Sequence, residues 1–270
     1  MIINMSYKIV VLAKQVPDTH NVGADAMNAD GTVNRAALPT VFNPEDLKAL
    51  EMALQVKDRV PGSTVTVVTM GPPRAAEIIR DARSRGADDG IVLSDMRFAG
   101  ADTLATSYAL SQLIRQLGPV DLIFGGRQAI DGDTAQVGPQ VAEKLEIPQV
   151  TYAEELLDIA DGAITIRRRL ERGTECVKAQ LPVLVTVTSA ATDCRFPNIH
   201  RMFRQAGEEV HVMNADGIDA DMERLGMKGS PTKVKKIENV VLAHKESRVL
   251  EPTEAALNEL SATLIREHIL

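Results

Sequence analysis

Four short apolar runs, each separated from the next by a stretch of helical spacing, constrain this chain more than any other feature. Residues 7–13 (YKIVVLA), Thr64–Met70 (TVTVVTM), 90–94 (GIVLS) and 120–124 (VDLIF) are short and mostly apolar. Runs of this kind read as strands buried on both faces. Between them lie residues with helical spacing. Asn43-Pro44-Glu45-Asp46 is a helix start, with Asn as N-cap, Pro at the first position and acids in the first turn. Leu47, Leu50, Leu54 and Lys57 continue it. Gly71-Pro72-Pro73 turns the second strand into a helix running to Arg85, and Asp102 caps a helix over residues 103–117. Strands alternating with helices at these lengths predict an α/β fold with a doubly wound, mostly parallel sheet.

Such sheets bind ligands beyond the carboxyl ends of their strands. Three strand ends qualify here: Leu12-Ala13-Lys14, Met70-Gly71-Pro72 and Gly125-Gly126, with the Asn43 helix start closing the rim from the side. The last of them opens the segment LIFGGRQAIDGDTAQVGPQV, residues 122–141. Glycines end the strand, a polar loop follows, and Pro139 falls where only a first helical turn tolerates it. Glycines let backbone approach a ligand, and free amides at a helix start point at an anion. The wording matches neither the dinucleotide fingerprint nor the P-loop. Asp131 and Asp133 read as caps of the following helix or as partners of ribose hydroxyls. With no third ligand beside them, no metal site is expected.

Net charge is -7, so nucleic acid is not an expected partner. No apolar run approaches the roughly 20 residues that span a bilayer, so no membrane insertion is expected. No charged-then-apolar signal segment opens the sequence, and the expectation is a cytoplasmic protein. Two cysteines make neither a zinc pattern nor a disulfide framework, and Cys176 reads as a packed strand residue. The five histidines are scattered, and no nucleophile pairs with a base. Catalytic side chains are therefore not expected; any chemistry belongs to a cofactor.

Beyond Ile147-Pro148, Ala163–Leu170 and residues 174–179 read as a hairpin about Arg172-Gly173, and residues 181–188 as a further strand. Asp30-Gly31 reads as the turn of a small hairpin, and Arg167-Arg168-Arg169 as a charged edge of the hairpin about Arg172-Gly173. From Ser189 compact periodicity fades until a helical pattern returns at residues 251–267. So long a loose segment is implausible inside one domain. The division expected is an α/β nucleotide-binding domain over residues 1–190 and, over 191–270, an arm that packs on another subunit.

The stretches KIVVLAKQVPD, NPEDLKALEMAL, VTMGPP, SRGADDGIVLSD, GGRQAIDGDTAQVGPQ, ECVKAQLPVLVTV and SPTKV together resemble the beta subunit of electron transfer flavoproteins, nearly end to end. The resemblance implies a heterodimer with an alpha subunit that holds most of a catalytic FAD, and a nucleotide site in the beta chain itself. Carried over by position, that site uses Leu12, Ala13, Asn43, Asp46 and Met70, then Gly126, Arg127, Gln128, Ala129, Ile130, Asp131, Gly132, Asp133, Thr134, Ala135, Gln136 and Val137. Its ligand is AMP in the family's plain carriers and a second FAD in its electron-bifurcating members. The wording of residues 131–139 resembles the bifurcating branch, which implies FAD, with NADH as electron donor. An ATP-binding universal-stress-type module is the alternative for a bare α/β sheet. The resemblance also implies a docking loop for an acyl-CoA dehydrogenase-like or other flavin dehydrogenase at residues 193–204, with Arg195, Phe196 and Ile199 as contacts. Here the sequence departs from the family: Cys194 stands where a proline is usual, which leaves the identity of the partner open.

Overall fold

The computed structural model describes residues 6–18, 39–232 and 249–270. Its core is a nine-stranded sheet. Strand β1 is Lys8–Leu12; β2 (Gln15–Pro17) and β3 (Thr40–Phe42) form a separate antiparallel pair. Helix α1 (Pro44–Arg59) leads to β4 (Thr64–Met70), α2 (Ala76–Arg85) to β5 (Asp89–Leu93), α3 (Thr103–Gln116) to β6 (Leu122–Gly126), and α4 (Val137–Leu145) to β7 (Gln149–Ala160). Then come β8 (Ala163–Leu170), β9 (Gly173–Gln180) and β10 (Val183–Val187), a short helix α5 (Ile199–Arg204), β11 (His211–Met213) and, late in the chain, α6 (Glu254–Arg266). The strand order is β11-β5-β4-β1-β6-β10-β7-β8-β9. All neighbours are parallel up to β7, and β8 and β9 pair antiparallel.

The doubly wound α/β fold expected from the alternation is the fold observed. Successive residues of β1 point to opposite faces. Ile9 and Val11 join one apolar cluster with Leu50 and Leu54 of α1 and Ile79 of α2. Val10 and Leu12 join the other with Leu113 of α3 and Val141 of α4. From β1 the chain winds outward through β4 to β5, then returns to place β6 on the other side of β1. The order reverses between β1 and β6, and a doubly wound sheet opens its binding crevice at such a point.

Four local expectations need correction. Residues 149–160 had no strand assigned, yet they form β7, the longest strand. Its buried positions recur every third residue because register shifts at Ala153/Glu155 and Leu156/Asp158 interrupt the pleat, so the period-two signal is lost. Arg167, Arg168 and Arg169 are not a free edge of their hairpin: β7 flanks β8 on the side away from β9, and the three pair with Glu155, Glu175 and Glu154. The edge strand on that side is β9, where Cys176 is exposed rather than packed. Finally, the stretch after Ser189 is less loose than its periodicity suggests. Strand β11 extends the main sheet beside β5, and residues 1–234 and 235–270 form separate compact units. Three-residue strands and single 3-10 turns leave no periodic trace in a sequence. The Asp30-Gly31 turn lies outside the described residues. In the second unit α6 keeps Leu257, Leu260 and Ile265 exposed.

Candidate functional site

The carboxyl ends of β1 and β6 meet the first turn of α1, and three side chains of that turn grip the loop after β6. Asn43 begins α1 through its carbonyl, which accepts from Leu47 N at 3.0 Å, but its side chain caps nothing. Instead Asn43 Nδ2 donates to the Gln128 carbonyl (2.9 Å), and Asn43 Oδ1 accepts from Ile130 N (3.2 Å). Glu45 Oε2 accepts from Gln128 N (2.9 Å) and its Oε1 from Ser189 N (3.2 Å). Asp46 Oδ1 accepts from Gly126 N (2.9 Å) and its Oδ2 from Lys14 N (2.8 Å). Alternate amides of the loop, at 126, 128 and 130, are thus held by three buried polar side chains. Pairing of this kind is what makes buried polar groups tolerable. Burial still dominates at Asp46 and pushes its carboxyl up to about 7, against the opposing pull of its hydrogen bonds.

Gly126 is required by this clasp. A Cβ there would stand 2.4 Å from Asp46 Oδ1 and 2.8 Å from Asp46 N. Gly138 answers a similar need, with 2.9 Å to Thr186 Cγ2. Beyond Ile130 the loop turns back on itself: Gly132 N and Asp133 N both donate to the Ala129 carbonyl, and Asp133 and Ala135 take left-handed backbone (φ 49° and 53°). The amides from Thr134 to Gly138 donate to no described residue, and they run into the start of α4. Arg127 lies over the Tyr152 ring with Nη2 3.4 Å from Glu45, and its Nε is buried with no hydrogen-bond partner among the described residues.

The acids of the loop do not cap α4. Asp131 pairs with Lys14 Nζ, and Asp133 accepts from Gln128 Nε2 at 2.8 Å. Gln136 precedes the helix without a side-chain cap, its Oε1 accepting from Thr103 Oγ1 at 2.8 Å. Leu12, Ala13, Asn43, Asp46 and residues 126–130 therefore come together at one rim. Met70 ends the neighbouring strand β4, with its side chain packed against the second apolar cluster. Thr134 is exposed on the outer arm of the loop. Sequence reasoning named Lys14 only as the end of a strand, without a role for its side chain, and missed Glu45 and Thr103 as site residues. Glu45 was visible as a first-turn acid, but that signal points to the helix dipole and says nothing of a loop eighty residues away.

The segment expected as a docking loop is in part helical. Asn198 caps α5 by accepting from His200 N and Arg201 N, and Asn198 N donates to the Ser84 carbonyl at the end of α2 (2.8 Å). Phe196, Ile199 and Phe203 are 92%, 60% and 74% exposed. Arg195 is not an exposed contact. It turns inward to Glu51 (2.9 Å) and Asp58 (2.8 Å), and these bonds hold the Glu51 carboxyl below its ordinary value although burial pushes the other way. The Cys194 thiol beside it is pushed up to about 11 by burial.

A family model described as the electron transfer flavoprotein domain matches residues 30–216. The chain belongs to the electron transfer flavoprotein family. It is 43% identical to an electron transfer flavoprotein subunit beta of Clostridium acetobutylicum, over 97% of this chain and 99% of that one. It is 46% identical to the protein FixA of Azotobacter vinelandii, over 84% and 82% of the two chains. It is 43% identical to subunit CarD of the caffeyl-CoA reductase-Etf complex of Acetobacterium woodii, over 84% and 86%. The function is accordingly that of an electron transfer flavoprotein beta subunit, an electron-transfer chain that works with an alpha subunit and associated flavin enzymes. Its membership implies flavin or nucleotide binding in general. No helix among the described residues is long and apolar enough to cross a membrane.

Proposed function

We propose that the rim between β1 and β6 is an adenine-nucleotide site holding FAD rather than AMP, and that the chain serves flavin-based electron bifurcation in the cytoplasm. The observation that carries this reading is the run of amides from Thr134 to Gly138, which donate to no described residue in a loop whose inner amides are clasped by Asn43, Glu45 and Asp46. Amides of that kind suit a phosphate group. Gly126 and Gly138 keep the backbone close to the clasp and to β10. The residues present fit a nucleotide: Leu12 and Ala13 at the strand end beside its base, Thr134 to Val137 beside its phosphate. These residues would hold FAD, which when bound would supply the redox chemistry linking NADH, a two-electron donor, to two acceptors. The side chains of this chain bind and orient the group, and none of them is assigned a redox role.

Two further parts belong to the same reading. Ile199 and Phe196 are the anchors for a partner flavin dehydrogenase of the acyl-CoA dehydrogenase-like class, with Arg195 fixing the segment to α1 through Glu51. Residues beyond the compact unit that ends at Val234, with the exposed apolar face of α6, are the arm for the alpha subunit. The name of the CarD relative, from a caffeyl-CoA reductase-Etf complex, supports a setting of this kind. The test is the flavin-to-protein ratio of the heterodimer purified with its alpha subunit, with extracted nucleotides identified. Two flavins per heterodimer are expected. One flavin with tightly held AMP would refute the bifurcating assignment, and one flavin with no second nucleotide would refute the site.

A further inference from the structure

We propose that Lys14 is a phosphate-binding residue of the nucleotide site, and that Asp131 is its stand-in partner, released when phosphate arrives. The inference rests on the nucleotide reading above and adds to it a side chain that sequence reasoning placed at a strand end without giving it a role. The backbone of Lys14 is fixed at the rim from both sides. Its amide donates to Asp46 Oδ2 (2.8 Å), and its carbonyl accepts from Asn43 N (3.0 Å). Its side chain, by contrast, is 47% exposed and reaches the loop, where Nζ contacts both oxygens of Asp131 at 2.7 and 2.8 Å. Asp131 sits between the inward-held amide of Ile130 and the free amides that begin at Thr134.

Charge makes the exchange favourable. The rim and its loop carry four acids, Glu45, Asp46, Asp131 and Asp133, of which Asp46 is pushed up to about 7 and is only partly charged at neutral pH. A phosphate entering beside the Thr134 to Gly138 amides would meet them as like charges. Two cations face them among the described residues. Arg127 lies over the Tyr152 ring with Nη2 3.4 Å from Glu45, and its Nε is buried with no hydrogen-bond partner among the described residues. Lys14 is committed only to Asp131, in a half-exposed pair of the kind that contributes little to stability. An ammonium on a flexible stem can trade one oxyanion for another without moving its backbone. The phosphomonoester of AMP, or the diphosphate of FAD taken as a whole, carries about two charges and is the stronger partner, and the trade leaves Asp131 in water. The pair thus shields the loop from Asp131 before binding and supplies counter-charge after it.

A purely structural ion pair would behave differently. It would hold the loop in place, and loss of either partner would weaken nucleotide binding alike. The exchange predicts opposite signs. The experiment titrates AMP, and adenosine as the phosphate-free control, into the full chain co-purified with its alpha subunit and freed of bound nucleotide. Lys14→Gln should weaken AMP about tenfold, the scale of one charge-assisted hydrogen bond, and leave adenosine unchanged. Lys14→Arg should retain most of the affinity. Asp131→Asn leaves Lys14 in place and should tighten AMP roughly threefold or more, again without effect on adenosine. Weaker AMP binding by Asp131→Asn, or equal losses for AMP and adenosine in Lys14→Gln, would overturn the exchange while the nucleotide site stands. Wild-type protein that binds neither AMP nor FAD would overturn the site and the exchange together.

Discussion

Gly126→Ala should damage this protein far more than the same change six residues later. The added methyl would lie 2.4 Å from Asp46 Oδ1 and 2.8 Å from both Asp46 N and Glu45 C. Two of those atoms are backbone at the start of α1, so relief requires the helix start or the strand end to move. Overpacking of that kind costs about 1–3 kcal/mol. Displacing Asp46 also breaks the Gly126 N bond to a carboxyl buried beneath the loop, which adds about 1.5–3 kcal/mol if that carboxyl is ionised. The sum, roughly 2.5–6 kcal/mol, is a large share of the ~5–15 kcal/mol that holds a domain folded. In a unit of this size it corresponds to a melting point lower by roughly 10 °C. The internal controls are in the same loop. A Cβ on Gly125 meets Leu12 Cβ at 3.4 Å, an ordinary contact, and one on Gly132 meets nothing within 4 Å. Gly132→Ala should therefore melt within about 0.5 kcal/mol of wild type. The assay is thermal melting of the three variants, each co-purified with the alpha subunit, with nucleotide content measured alongside. If Gly126→Ala melts with Gly132→Ala and retains its nucleotide, the clasp between α1 and the loop does not hold the site as described.

Asp46 should leave a signature in the dependence of stability on pH. Its carboxyl is pushed up to about 7 in the folded protein, while an unfolded aspartate titrates near 4. The folded state therefore keeps a proton that the unfolded chain releases. This contribution is full below pH ~4, is lost as pH rises to about 7, and is flat above that. Denaturant unfolding of wild type minus Asp46→Asn should carry that falling slope, and a difference curve that rises between those values would contradict it. Ile199→Ala should slow electron delivery to the partner dehydrogenase while flavin content and melting point stay put, because Ile199 buries little on its own chain. A loss of stability with unimpaired transfer would place the docking surface elsewhere. Phe196, Phe203 and the apolar residues of α6 are exposed in this chain, a pattern that marks interfaces. Amide exchange in α6 should accordingly be fast in the isolated chain and slow in the heterodimer, and a fully protected isolated chain would refute the pairing.

Much of this molecule follows from local sequence. The alternation of apolar runs with amphipathic stretches determines the parallel sheet, because only a helix crossover of that length returns a strand to the same direction. Asn43-Pro44 and Asp102 mark their helix starts, and the glycine-bounded loop after Phe124 marks the rim proposed as the site. What a one-dimensional pattern cannot hold is the partner of a polar side chain. Asn43 carries every mark of a cap, yet its amide binds Gln128 and Ile130. Asp131 and Asp133 stand where caps stand, yet they bind Lys14 and Gln128. Arg195 reads as a surface contact and is drawn inward by Glu51. In each case local propensity permits several partners of similar energy, and the winding of β1, β6 and α1 decides among them by bringing one within 3 Å. The same holds for β7 and β11. Bulges erase the period of one, and the other is three residues long, so both exist because a neighbouring strand offers them an edge. Element type was local information here, while the clasp that shapes the binding loop, three side chains of one helix turn on alternate amides of a distant loop, was decided by tertiary structure alone.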